Sequence, residues 1–349
     1  VGLITRRSQV QILPPLPIFD DGPDNPRMGT PKTSKAIASA LLAFALSCLC
    51  FPVTAMDPTA SRPRPIPVMI LDGESNRWHD WRATTPMLRR MLEETGLFEL
   101  RVVTAPGEGG DFSNFDPRFA DHAAVVFNYD VPDGRWPRAL QQQFEDYMRQ
   151  GGGLVVVHAA DNAFPGWRAF NEMIGVGGWR DRDERAGPAW YLDGDGRLQW
   201  DARPGPAGSH GLRRPFRITV RADHPITRGL PSEWMHGADE LYAGLRGPGG
   251  MTVLASAFSD PANQGTGRHE PQLMASDWGR GRVFHTTLGH DPVAMASVAF
   301  VVTFQRGVEW AATGTVTQPL PADFPDATTP TVREELMAIG NVYQPHRQP

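Results

Sequence analysis

Apolar positions fall in short runs separated by amphipathic stretches, the pattern of strands alternating with helices. Residues 67–71 read as a short apolar strand, and Thr85 as the cap of a helix with Pro86 at its first position and Leu88, Met91 and Leu92 on its inner face. Residues 98–104 alternate as a second strand, 123–128 make a third, and 137–150 form an amphipathic helix with a glycine stop. Gly151-Gly152-Gly153-Leu154-Val155-Val156-Val157-His158 then reads as a buried strand that ends on a histidine. A short helix is expected over 167–174. From 175 to 214 the periodicity gives way to glycine, arginine and tryptophan, which predicts loops draped over a crevice. Strands resume over 216–221 and 252–257, a hairpin turns at Gly279-Arg280-Gly281, and a final helix covers 293–312. Strands and helices alternating at this spacing predict an α/β domain over 66–315, with a mostly parallel sheet covered on both faces.

The ends of the chain read differently. Lys32 and Lys35 precede an apolar run over 36–51, and Val53-Thr54-Ala55 has the small residues of a cleavage site. Residues 28–55 are therefore expected to be a signal peptide, too short and wrongly flanked to span a bilayer. Residues 1–27 are expected to be misassigned upstream translation, with Met28 the true start. The mature protein is expected to be exported, periplasmic or extracellular, with no transmembrane span. Residues 316–349 form a proline-rich C-terminal extension that either packs on the domain or frays.

Composition removes several chemistries. Of 349 residues 40% are hydrophobic and 21% charged, enough for a sizeable core, and a net charge of -5 gives no reason to expect nucleic acid. The only cysteines, Cys48 and Cys50, and the only lysines, Lys32 and Lys35, lie in the leader. Thiol nucleophiles, thiolate metal sites, Schiff-base lysines and a phosphate-loop lysine are excluded from the mature domain. Proton transfer near neutral pH falls to histidine and the carboxylates.

In an open α/β sheet ligands sit at the carboxyl ends of the strands. His79, His158 and His290 each lie in or just beyond such an end, so a parallel sheet would bring them to one mouth, joined by Asp239 and Glu240 of Asp239-Glu240-Leu241-Tyr242. His158, His290, Glu240 and His79 are the candidate acid/base group. The same four could instead hold a divalent metal such as zinc, since neutral imidazoles with one carboxylate suit it. Asp80, Asp161 and Asp291 each adjoin a site histidine and are candidates to fix its tautomer. His236 is a rim candidate, while His210 and Glu270 could reach the crevice. Trp78, Trp81, Trp167, Trp179 and Trp234 lie in segments near the proposed mouth, and flat indole faces suit sugar rings. Trp78, Asp161, Trp179, His236 and Asp239 are the candidate substrate-binding residues.

Taken together, Trp78-His79-Asp80-Trp81 with Thr84-Thr85-Pro86, the glycine-led strand through His158-Ala159-Ala160-Asp161, and His224-Pro225-Ile226 with Gly229-Leu230 resemble the ThuA-like, trehalose-utilisation family. So do Asp239-Glu240-Leu241-Tyr242, Gly281-Arg282-Val283-Phe284 through Gly289-His290-Asp291, and Glu309-Trp310-Ala311-Ala312. The resemblance implies a three-layer flavodoxin-like or class I glutamine amidotransferase-like fold with a loop-rich insertion. It also implies a role in carbohydrate catabolism beside oxidoreductases that make 3-keto sugars. True amidotransferases carry a cysteine on the sharp strand-to-helix turn, where this chain has His158-Ala159, so glutamine hydrolysis by that route is excluded. The expected function is His/carboxylate chemistry, metal-assisted or not, on a sugar or a trehalose-type 3-keto-glycoside. Isomerisation or elimination competes with metal-assisted hydrolysis. The alternative is a non-catalytic sugar-binding or oxidoreductase-partner protein.

Overall fold

Along Ile66–Asp72 (β1), Val68 and Ile70 point to one face and Met69 and Leu71 to the other, and all four are completely buried. A strand buried on both faces belongs in the middle of a three-layer domain. The computed structural model describes residues 64–342. The segments expected as upstream translation and signal peptide lie outside the described residues, as do the last seven of the extension. The chain continues through α1 (Trp81–Thr95), β2 (Phe98–Thr104), β3 (Ala124–Phe127), α2 (Arg138–Arg149), β4 (Gly153–Val157) and α3 (Arg168–Ile174). A hairpin, β5 (Ala189–Leu192) and β6 (Leu198–Asp201), is followed by β7 (Arg214–Val220), β8 (Glu233–Asp239), β9 (Thr252–Phe258), β10 (His269–Trp278) and β11 (Gly281–Thr286). Three helices, α4 (Pro292–Met295), α5 (Val298–Thr313) and α6 (Glu334–Val342), complete the described chain.

The sheet runs β2-β1-β3-β4-β11-β10-β9-β7-β8. Its first five strands are parallel, in the order of a flavodoxin-like sheet, and the rest are antiparallel. One core packs Val68, Ile70, Val126 and Val155 against α1, α4 and α5; the other packs Met69, Leu71, Val125 and Val156 against α2 and α3. Helix α5 runs so close to β11 that a Cβ on Gly307 would lie 2.0 Å from the Phe284 ring. The parallel half aims the ends of β1, β3, β4 and β11 at one crevice. The antiparallel half ends at β8, where the Gly237 N–H donates to Ser297 Oγ at 3.1 Å beside α5. At the end of that strand Asp239 and Glu240 reach the same crevice, tied there by the Gly289 and His290 N–H groups.

Three local expectations change, and one stated alternative is decided. Helix α1 starts at Trp81, because the Asp80 carboxylate accepts from the Arg82 N–H at 3.0 Å and caps it; Pro86 sits inside the helix, and Thr85 is not the cap. The helix expected over 293–312 is broken after Met295: Val298 N–H bonds to the Thr331 carbonyl and the Ala296 carbonyl accepts from Arg333, so the extension takes up the free groups. The region 175–214 holds the β5–β6 hairpin as well as loops. Over the described residues the extension packs instead of fraying, with Leu336 completely buried.

A candidate active site of three histidines and a glutamate

The turn that leaves β4 places His158 at φ 47°, a left-handed conformation that a residue with a side chain adopts only under constraint. A strained strand-to-helix turn lifts its side chain to the top of the sheet. Here it carries an imidazole. Nδ1 of His158 lies 2.6 Å from the Thr287 carbonyl, which can only accept, so Nδ1 is protonated and the Nε2 lone pair points into the crevice. The Tyr242 ring lies against the same imidazole, centroids 4.2 Å apart.

His79 comes from the loop after β1. Its Nδ1 lies 2.9 Å from Asn76 Oδ1, which leaves Nε2 facing inward. His290 follows β11, and its Nδ1 stands 3.2 Å from His79 Nε2, 3.3 Å from His158 Nε2 and 3.1 Å from Glu240 Oε2. Glu240 Oε2 is also 3.8 Å from His158 Nε2. One ligand atom from each of His79, His158, Glu240 and His290 thus lies within 4.8 Å of all the others.

The electrostatics follow from this crowding. Burial, with His158, His290 and His210 close by, holds the His79 imidazole down to about pKa 2. Burial likewise lowers His158, against the opposing pull of Asp239 and Glu240. Burial alone would raise Glu240, yet His290, His158 and His210 outweigh it and hold the carboxyl below its usual range. Inward lone pairs on neutral imidazoles beside an ionised carboxylate form a ready set of cation ligands. Four ligands about 2.1 Å from a tetrahedral centre would stand about 3.4 Å apart, and the spacings here bracket that value. The donors therefore fit a divalent ion.

Asp239, the last residue of β8, holds the frame. Its Oδ1 accepts from the backbone N–H groups of Glu240 and His290, and its Oδ2 accepts from Gly289 N–H and faces His236 Nε2 at 2.9 Å. Burial would raise its pKa, but His236, His158 and the Gly289 N–H outweigh that and bring it to about 2. Asp239 and His236 are buried, and both bond within the frame beneath the site. Asp161 is completely buried too and faces His285 at 3.4 Å. None of the three aspartates adjoining a site histidine fixes its tautomer: Asp80 caps α1, Asp161 faces His285, and Asp291 caps α4 while pairing with Arg213 at 2.5 Å.

Outside the four ligands a cleft of about 800 Å³ opens, lined by Trp78, Trp81, Arg82, Glu108, Arg213 and His290 among others. Trp78 is 68% exposed at its rim. Trp179 packs on Tyr242, centroids 4.4 Å apart, behind His158. Trp167 and Trp234 are core residues instead of mouth residues. His210 reaches the site from the insertion, its Nε2 3.7 Å from Glu240 Oε1, while Glu270 is buried and accepts from Thr266 and the Gly244 N–H. The sequence patterns do not single out Asn76, Asp130, Arg180 or Thr287, and they carry Tyr242 only as the end of the Asp239–Tyr242 motif. Asp130 lies just past the carboxyl end of β3, so the strand-end rule that marks His158 also marks it.

The model for trehalose utilisation, ThuA, matches residues 67–311. No curated protein matches the chain. The crystal structure of a ThuA-like protein from Parabacteroides merdae is 40% identical, with a TM-score of 0.75 over 78% of this chain and 99% of that one. A second ThuA-like structure, from Bacteroides uniformis, is 18% identical at a TM-score of 0.50, over 72% of this chain and 94% of that one, a likeness of fold. With its flavodoxin-like, class I glutamine amidotransferase-like sheet and a family match across nearly the whole described domain, the chain belongs to the ThuA-like, trehalose-utilisation family.

Proposed function

We propose that the protein is a carbohydrate-processing enzyme acting on a sugar or a trehalose-type 3-keto-glycoside, with His79, His158, His290 and Glu240 holding a divalent metal ion such as zinc. The observation that carries the reading is the convergence of three imidazole nitrogens and one carboxylate oxygen at ligand spacing, with the Nδ1 of both His79 and His158 directed elsewhere. A divalent ion bound there supplies a Lewis acid for a carbonyl or hydroxyl oxygen and a lowered pKa for water. The rest is work for the chain's own groups. Trp78 offers an indole face to a sugar ring, and Arg213, fixed by Asp291, offers N–H donors to hydroxyls. His210, the more exposed imidazole beside Glu240, is placed to exchange protons with solvent. Export is part of the same proposal, supported by the expected leader and a domain without thiols. Among the described residues no helix is long and apolar enough to cross a membrane.

The test is incubation of the purified protein with 3-keto-trehalose and related glycosides, with and without chelator, followed by NMR of the products. Product formation that the chelator removes and zinc restores is the expected result. Chelator-insensitive turnover would leave acid/base chemistry without a metal. Binding without turnover would make the protein a sugar-binding module, and no binding at all would favour an oxidoreductase partner.

A further inference from the structure

Trp179, Arg180 and Asp181 stand in succession at φ 51°, 45° and 61°, three left-handed residues without a glycine among them. L-residues adopt that conformation at a cost, and a run of three persists only where the surroundings hold it. Arg182 supplies part of the hold: buried, it donates to the carbonyls of Asn162, Ala163 and Gly178. The turn meets the site at two places. Trp179 packs on Tyr242, which backs His158. Arg180 donates through Nε to Asp130 Oδ1 at 2.6 Å and through Nη2 to the Asp130 carbonyl at 3.2 Å.

From Asp130 a chain of directed hydrogen bonds runs to a candidate ligand. Asp130, almost fully buried, accepts on Oδ2 from Asn76 Nδ2 at 2.7 Å. Asn76 Oδ1 accepts from the Trp78 N–H at 2.8 Å and faces His79 Nδ1 at 2.9 Å. The directions follow from the donors. The Trp78 backbone N–H can only donate, which turns the amide oxygen of Asn76 toward Trp78 and His79 and its N–H₂ toward the Asp130 carboxylate. Burial raises the Asp130 carboxyl, and the Arg180 guanidinium on its other oxygen opposes that and favours the ionised acceptor. An amide oxygen only accepts, so the proton of His79 must sit on Nδ1 and the lone pair on Nε2.

We propose that the Trp179–Asp181 turn is a positioning element for the histidine set, in which Arg180, through Asp130 and Asn76, fixes the tautomer of His79. Arg180 acts on His79 only through Asp130 and Asn76, and Asp130 itself borders the small cavity shared by His79, His158 and His290. The metal part of the inference rests on the proposed divalent-ion reading; the tautomer part does not.

The full chain, labelled with 15N in its histidines, distinguishes the two. In chelator-treated protein at neutral pH, the imidazole 15N shifts of His79, identified by its loss in His79→Asn, should report a proton on Nδ1. Asn76→Ala and Arg180→Ala should shift population to the Nε2–H form and weaken zinc affinity by about 10–100-fold, with melting temperatures that show a folded domain. Arg180→Lys, which keeps the charge but loses the two-pronged contact, should fall between. Arg180 is 25% exposed and carries the test if Asn76→Ala does not fold. A wild-type His79 protonated on Nε2, or folded variants with unchanged tautomer and unchanged zinc affinity, would overturn the positioning role. Wild-type protein with the Nδ1–H tautomer and no zinc affinity would uphold it and overturn only the metal reading.

Discussion

Replacing Asp239 with Asn removes one oxygen from a buried carboxylate that receives two donors on each oxygen. The amide retains one acceptor, so two donors are left against an N–H₂ group: either the N–H groups of Glu240 and His290, or the Gly289 N–H and His236. A buried donor without a partner costs about 1–3 kcal/mol, which puts the variant about 2–6 kcal/mol below wild type. The protonation equilibrium gives an independent figure. With the carboxyl held at about 2, roughly two units below its usual value, linkage assigns it about 2–3 kcal/mol at neutral pH. Because the folded pKa is depressed, that stabilisation is present above about pH 4 and is lost as the pH falls toward 2. Urea unfolding at pH 7 should therefore show a lower midpoint with an unchanged slope, and the gap between the two proteins should close in acid. A variant as stable as wild type, or one that keeps its stability while only KM rises, would refute the account of Asp239 as a clamp and return it to the substrate.

The depressed pKa values of His79 and His158 make the metal-free domain acid-sensitive: their contribution is complete above about pH 6.5 and is lost as the pH falls below it. Chelator-treated protein should lose roughly 5 °C in Tm between pH 7 and 5.5, and the double variant His79→Asn/His158→Asn should flatten that slope. Trp78→Ala, at a rim position with no core to disturb, should leave Tm unchanged and weaken glycoside binding by about 1 kcal/mol, roughly fivefold in Kd. Leu336→Ala should cost about 2–5 kcal/mol by urea unfolding, because the described part of the extension is packed. Wild-type stability in that last variant would mean the extension contributes nothing to the core.

What could be read before the structure was mostly local. The run from Gly151 to His158 is apolar on both faces and ends in a polar residue, so its place as a central strand and the placement of His158 at the crevice follow from pattern alone. His79 and His290 were legible by the same rule, since each follows a strand of the parallel half. Strand β8 was not, because Trp234-Met235-His236-Gly237 mixes a core tryptophan with a buried histidine whose partner, Asp239, is specified only by the fold. Glu240 is legible from a motif, while what holds it at the site is the bonding of its neighbour Asp239 to Gly289 and His290, some fifty residues away in sequence. The start of α1 turned on whether Asp80 or Thr85 caps it; both are good caps, and Thr85 is instead used by Asn128, which donates to its hydroxyl at 2.9 Å. The sequence offers neighbouring aspartates as tautomer partners, but side chains adjacent in sequence at these turns point apart, and the partners are Asn76 and a backbone carbonyl.

Whether one cation is held jointly by His79, His158, His290 and Glu240, as proposed, is decided by zinc titration against a competing chelator, paired with X-ray absorption of the loaded protein. One ion per chain, a coordination shell dominated by imidazole nitrogen, and loss of that ion in folded His158→Asn and Glu240→Gln proteins are the expected results. A folded wild-type chain that takes up no divalent ion, or one whose ion survives both substitutions, would contradict it.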